Sequence, residues 1–414
     1  MLWMLSKTFV LSGTPPQTET ERALLIGASA LERNGMDSRR CSTASRCARL
    51  EISHVQHTSK GESVMKVTTS GIDVAKSVFQ VHGVDERGKA VLRRQVRRAQ
   101  LLLFFSKLEP CLIGMEACAS SHYWARKLTA LGHTVRLMAP QFVKPYRKND
   151  KNDGNDAEAI CEAVQRPSMR FVPVKSPEQQ AELAVHRIRR RLMGKRTALI
   201  NQLRGLLAEY GLVLAQGANH VRSKLPALLE SSSESLPPLA VELFRDLYEE
   251  LVQLEQRLEA YDRRIERLYR ANPVCQRLGQ QEGIGALTAT AFVATVAHAA
   301  QFKNGRQCAA WLGLVPKQDS TGGRTRLLGI SKRGDVYLRT LLVHGARSAM
   351  RHTPRRNDPK SRWVEQLRKR RGENIAAVAL AAKHARILWA LMVRGESSAQ
   401  PAAHSVDPLE QPTA

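Results

Sequence analysis

The chain of 414 residues carries 64 Lys plus Arg against 38 Asp plus Glu, a formal charge of +26, and is long enough for two or three domains with cores of their own. So large an excess points to a polyanionic partner; the basic residues are spread along the whole chain and no apolar run reaches the length of a spanning helix, which favours nucleic acid over a membrane. Seven Cys without a CxxC pair argue against zinc and read as reduced thiols of a cytoplasmic protein.

Residues 1–64 are rich in Ser, Thr, Arg and Gly and poor in periodicity. The apolar start, Met1 to Val10, lacks the basic leading region of a signal peptide. The segment is expected to be a disordered extension or to lie upstream of a true start at Met65. From there β-type and helical patterns alternate. Strands are predicted at 67–73, 78–84 and 90–96, a helix at 99–108, a strand at 111–116, a helix at 121–131, a strand at 133–138 and a helix at 155–164. Over residues 65–170 this β-β-β-α-β-α-β-α order is that of the α/β ribonuclease H-like fold, a mixed sheet flanked by helices.

In that fold Asp73 ends the first strand and Glu116 ends its neighbour in the sheet. Asp153 and Asp156, three residues apart at the start of a helix-like run, project from nearly one face and pack across the same edge. Four convergent carboxylates suit two hard divalent ions held by oxygen. Asp150 and Glu158 are close enough to be confused with them and are assigned to the surroundings.

Residues 171–271 read as a helical and coiled-coil region. Ser176 is placed as an N-cap with Pro177 in the first turn. The helix that follows, to Tyr210, has a cationic face of Arg187, Arg189, Arg190, Arg191, Lys195, Arg196 and Arg204, of which Arg187, Arg190, Arg191 and Lys195 are candidates for backbone phosphates. Residues 211–239 read as a connection with little periodicity. Phe244, Leu247, Leu251, Leu254, Leu258, Tyr261, Ile265 and Leu268 then form a heptad seam, which serves either a hairpin with the preceding helix or pairing between chains, as a dimer or tetramer.

Residues 272–395 read as a mainly helical C-terminal domain, before a tail at 396–414 expected to be disordered. Gly283-Ile284-Gly285 before a small-residue helix has the form of a helix-hairpin-helix element, whose amides bind a phosphate. Further on, Ser320 and Thr321 precede Gly322-Gly323 and are flanked by Lys317, Arg324, Arg326, Lys332 and Arg333. Such a loop either grips a phosphate or presents a hydroxyl nucleophile.

With Gly71-Ile72-Asp73-Val74-Ala75-Lys76, Met115-Glu116-Ala117, Asn152-Asp153-Gly154-Asn155-Asp156-Ala157-Glu158-Ala159 and the segment from Leu314-Val315-Pro316 to Gly334 in order, the chain resembles the DEDD insertion-sequence transposases over about residues 66–350. The resemblance implies a RuvC-like domain whose acidic tetrad is Asp73, Glu116, Asp153 and Asp156, binding Mg²⁺ or Mn²⁺. It also implies a C-terminal transposase domain with a Ser nucleophile, assigned to Ser320 with Thr321 as the alternative, that forms a phosphoserine link to DNA. Donor and target DNA and an element-encoded guide RNA are the implied partners, at the nucleoid. A RuvC-like junction-specific metal nuclease without a covalent intermediate, and a catalytically inactive nucleic-acid-binding protein, are the alternatives.

Overall fold

Along Thr69–Val74 (β1), Val78–Val84 (β2) and Ala90–Arg97 (β3), side chains alternate between two faces of a sheet. Ile72, Phe79, Val81 and Val96 occupy one face and are buried with Leu101–Phe105 (α1) and, after Leu112–Glu116 (β4), Ser121–Ala130 (α2). Gly71, Asp73, Gln80, His82, Arg93 and Gln95 share the other face by their register. With Thr134–Met138 (β5) and Phe171–Val172 (β6) the sheet order is β3-β2-β1-β4-β5-β6, in which β1, β4 and β5 run parallel and the remaining pairings are antiparallel. The expected element order and mixed sheet are thus both present. The structure, a computed structural model, describes residues 66–148, 152–231 and 235–399. The expectations for residues 1–64, Met65 and Asp150, and for the tail from residue 400, lie outside the described residues.

Past the short helix Pro140–Val143 (α3), Asp153–Val164 (α4) crosses the polar face. It begins two residues earlier than its apolar pattern suggests because the Asn152 side chain accepts a bond from the Gly154 N–H at 2.7 Å and so caps the first turn. Close approach depends on Gly71. A Cβ there would stand 2.2 Å from the Ala157 carbonyl oxygen and 2.4 Å from the Cys161 nitrogen, both backbone atoms of α4.

Ser176 caps Pro177–Glu209 (α5) through a full capping box with Gln179, as its sequence predicts. Residues 211–239 are not merely a connection: Ala218–Ser231 (α6) buries Val221, Leu225 and Leu229, a helical spacing masked in the sequence by Pro226 within the helix. In Pro238–Ala271 (α7) the heptad residues Phe244, Leu251, Leu254 and Leu258 are buried in one cluster with Leu192, Leu199, Leu203 and Leu207 of α5. The seam therefore closes a hairpin within the chain.

The C-terminal part is mostly helical. Pro273–Gly279 (α8), Ala286–Val296 (α9) and Gly305–Trp311 (α10) precede the hairpin Pro316–Thr321 (β7) and Arg324–Ile330 (β8), then Val336–Met350 (α11), Pro359–Arg371 (α12) and Glu373–Ala399 (α13). The expectation that no apolar run is long enough to span a membrane fails at α13, whose stretch Glu373–Gly395 meets that length and composition. Its burial gives the reason for the composition: Ala376, Ala377, Leu380, Ala381, Ala385, Leu388 and Met392 pack in the C-terminal core.

Three histidines are held neutral within the fold. Burial pushes His122, His186 and His384 each down to about 4, with neighbouring cations adding to it. His186 of α5 is hydrogen bonded to Thr290 of α9 at 3.1 Å and to Tyr337 of α11 at 3.3 Å. An unfolded imidazole takes up its proton near pH 6.5 and these do so only near 4, so their contribution is complete above pH 6.5 and is lost as pH falls towards 4. The loss is on the order of 3 kcal/mol for a fully buried ring. Melting temperature is accordingly expected to fall between pH 6.5 and 4, and His384→Leu, which removes a ring with no hydrogen-bond partner for either nitrogen among the described residues, should flatten that fall.

Candidate active site

Asp73 leaves the end of β1, Glu116 the end of the parallel neighbour β4, and Asp153 and Asp156 the first turn of α4 laid across both strands. All four line one cleft of about 620 Å³, closed on the other side by Pro140, Gln141, Val143, Lys144 and Arg147. One carboxylate oxygen from each of Asp73, Asp153 and Asp156 lies within 4.8 Å of the others. Glu116 stands beside this trio rather than in it. Its carboxyl is pushed above the usual carboxylate range, first by burial and then by Asp73 and Asp156, with Arg147 opposing. Arg147 Nη1 lies 3.5 Å from Asp156 Oδ1 and offsets part of the repulsion.

A donor set made wholly of carboxylate oxygens suits a hard divalent cation rather than zinc or copper. Glu158, one turn further along α4, is committed elsewhere: Lys148 approaches it at 3.3 Å and Arg93 at 3.6 Å. Lys144 and Arg147 were not singled out in the sequence. Their signal was the run Lys144-Pro145-Tyr146-Arg147-Lys148 just ahead of the acidic helix, which reads as ordinary surface charge.

The hydroxyl candidates lie apart from this cleft. Ser320 and Thr321 end β7, and every residue of that strand is exposed. Gly322 and Gly323 both take positive φ, 55° and 75°, as a two-residue hairpin turn requires. Ser320 pairs with Thr325 and Thr321 with Arg324 across the hairpin, so the two hydroxyls face opposite sides. Thr321 shares its side with Asp319, Arg324 and Arg326, whereas Ser320 accepts a bond from Gln318 Nε2 at 2.8 Å. Lys317 is exposed on β7, and Lys332 and Arg333 are exposed at the hairpin's foot.

The proposed phosphate contacts divide. On α5, Arg189 pairs with Asp262, Arg196 with Glu255 at 3.0 Å, and Arg190 stacks over Tyr337 at 5.6 Å. Arg187, Arg191 and Lys195 are exposed. Gly283 packs on α11, where a Cβ would lie 2.3 Å from the Gly345 carbonyl oxygen, while Gly285 opens α9 with clear space around it.

A mixed ribonuclease H-like sheet with carboxylates gathered at the ends of adjacent parallel strands defines a RuvC-like domain of the DEDD type. Residues 70–212 match the DEDD family described as transposase, and residues 275–360 match the family described as transposase IS116/IS110/IS902. The chain is 55% identical over 331 residues to the "Probable family 20 transposase" of Pseudomonas aeruginosa, covering 80% of this chain and 98% of that one. It is 46% identical over 335 residues to the transposase for insertion sequence element IS1111A of Coxiella burnetii, covering 81% and 92%. With the transposase for insertion sequence element IS1328 of Yersinia enterocolitica it shares 39% over 329 residues, 80% and 98%. The chain belongs to the IS110/IS116/IS902 family of insertion-sequence transposases.

Proposed function

We propose that this transposase cuts and rejoins DNA strands at the Asp73, Glu116, Asp153 and Asp156 cleft, and that Ser320 is the group that takes the cut strand. The observation that carries the reading is the gathering of three carboxylates within 4.8 Å around Asp73, with Glu116 in the same cleft. Mg²⁺ or Mn²⁺ bound there would supply charge stabilisation at the scissile phosphate. Arg147 and Lys144, on the opposite wall, orient the phosphate by its anionic oxygens. Ser320 Oγ bonds to phosphorus as one backbone P–O bond breaks, and the departing oxygen takes up the proton that the serine loses.

The +26 charge supports DNA together with an element-encoded guide RNA as partners, held by phosphate contacts that weaken steeply with salt. It supports a cytoplasmic location at the nucleoid as well. Donor and target strands need more than one active site, which supports a homo-oligomer. A second reading, a junction nuclease in which water attacks, is favoured by one observation: the cleft walls come from residues 73–159 and include no hydroxyl from β7.

Denaturing electrophoresis after incubation with labelled element-end DNA decides between them. Wild type is expected to leave a covalent protein–DNA adduct that Ser320→Ala abolishes and Thr321→Ala retains. Cleavage at the wild-type rate by Ser320→Ala, with no adduct in either protein, would leave the nuclease.

A further inference from the structure

The polar face of the sheet does not end at the carboxylates. Gln80 of β2 lies directly opposite Asp73 of β1, and Gln95 of β3 directly opposite Gln80, so the three form one row across the sheet. Neighbouring strands are about 4.8 Å apart, which carries the row about 10 Å from Asp73 to the edge strand. The next row is Gly71, His82 and Arg93. Over both rows lies the N-terminal half of α4, and it divides two cavities. Asp153 and Asp156 face the acidic cleft, while Asn155 and Glu158 turn to a second cavity of about 250 Å³ lined also by Gln80, His82, Arg93 and Gln95.

The chemistry of this second cavity is unlike that of the first. Its lining is mostly amide, imidazole and guanidinium. Among the described residues, neither the Gln80 nor the Gln95 side chain has a hydrogen-bond partner; Gln80 is half-buried and Gln95 exposed. Amides placed in a concave site without internal partners offer a donor and an acceptor each, the pairing that the edge of a nucleobase presents. Arg93 stands at the mouth, 70% exposed and in a loose 3.6 Å pair with Glu158, so an entering phosphate can claim it. The volume suits one base and excludes a duplex. Salt-insensitive amide contacts set next to an acidic cleft would be of no use to a protein that merely gripped backbone.

We propose that this cavity is a nucleotide subsite, taking one unpaired nucleotide of the DNA strand beside the phosphate held at the carboxylates, with Gln80 and Gln95 bonding the base edge and Arg93 its phosphate. It rests on the reading of the carboxylates as the place of strand cleavage. The subsite gives the cleft a direction: the strand runs from Asp73 across β2 towards β3, and it must be unpaired locally to do so.

The test uses the full chain carrying Asp153→Asn, so that binding is read without cleavage, and a fluorescein-labelled single strand containing bromodeoxyuridine. Adding Gln80→Leu and Gln95→Leu is expected to weaken anisotropy-measured binding about tenfold, the loss of two net hydrogen bonds, with the slope of log affinity against log salt unchanged. Arg93→Gln should reduce that slope by about one. Photocross-links should map to β2 and β3, and a fully paired duplex should bind the double variant as before. Unchanged single-strand affinity in a double variant of wild-type melting temperature, or cross-links confined to other elements, would overturn the subsite. Strand cleavage by Asp153→Asn at the wild-type rate would instead overturn the reading beneath it, and it is seen in a separate assay.

Discussion

Glu116→Gln is expected to abolish divalent-dependent strand cleavage and, in metal-free buffer, to raise the melting temperature. The two effects share one cause. Glu116 is driven above the usual carboxylate range by burial and by the charges of Asp73 and Asp156, so at neutral pH its ionised form costs the folded state free energy. The sign follows directly: a carboxyl whose folded pKa is raised favours folding less as pH climbs through that value. Removing the charge relieves this cost, and the melting temperature should rise by a small amount because the group is half-exposed and partly screened by solvent. Loss of a carboxylate from a site that assembles charge stabilisation is expected to lower the rate about a thousandfold or more, roughly 4 kcal/mol of transition-state stabilisation. Adding Mg²⁺ should raise the wild-type melting temperature more than that of the variant. A variant that cleaves normally, or that melts lower than wild type without metal, would remove Glu116 from the site.

Gly71→Val is expected to be the most damaging substitution in the sheet. The obstacle to a side chain is the α4 backbone at 2.2 and 2.4 Å, and neither atom can swing aside as a side chain could. The helix must lift or the strand must shift, at a cost of about 4 kcal/mol or more. Because α4 carries Asp153 and Asp156, chemistry is lost with stability. Gly114→Ala provides the comparison: its added Cβ would meet Val164 Cβ at 2.8 Å, an atom that moves only with α4 but is less closely approached than the backbone over Gly71, and about 1–3 kcal/mol is expected. Chemical denaturation of the three proteins measures both. Equal stability of Gly71→Val and wild type would show that the helix does not depend on this contact.

The mixed sheet was legible because its signals are local. Short β-type runs bounded by turn residues mark β1 to β5, and the strand ends and the start of α4 fix where the acids stand. Elements whose evidence is a partner far along the chain were less visible. α6 was hidden because Pro226 and the flanking Gly and Ser dominate its composition, yet its Val221, Leu225 and Leu229 have a ready apolar surface between α5 and α7. Part of the charge along α5 has partners that only the fold reveals. A sequence displays Arg189, Arg190 and Arg196 as a cationic face, but Asp262, Tyr337 and Glu255, which engage them, lie some 60 to 150 residues further on. The apolar composition of α13 marks burial in a helical core, and the same composition fits a membrane span. The acidic cluster could be assembled from the element order alone, because that order makes β1 and β4 neighbours, whereas the row from Asp73 through Gln80 to Gln95 required the strand register.

The start of α5 has a mechanical consequence. Arg126 of α2 holds the Lys175 carbonyl and Gln180 Oε1, and six residues beyond Gln180 the same helix is fastened to α9 and α11 through His186. Both halves of the transposase therefore grip the first three turns of one stiff rod, whose 33 residues extend about 50 Å. A swing of one half against the other at this point would have to break several bonds together. Any reach of the β7–β8 hairpin to a set of carboxylates is thus thrown onto flexure at the hairpin's own foot, between Val315 and Ser331, or onto a neighbouring copy of the chain.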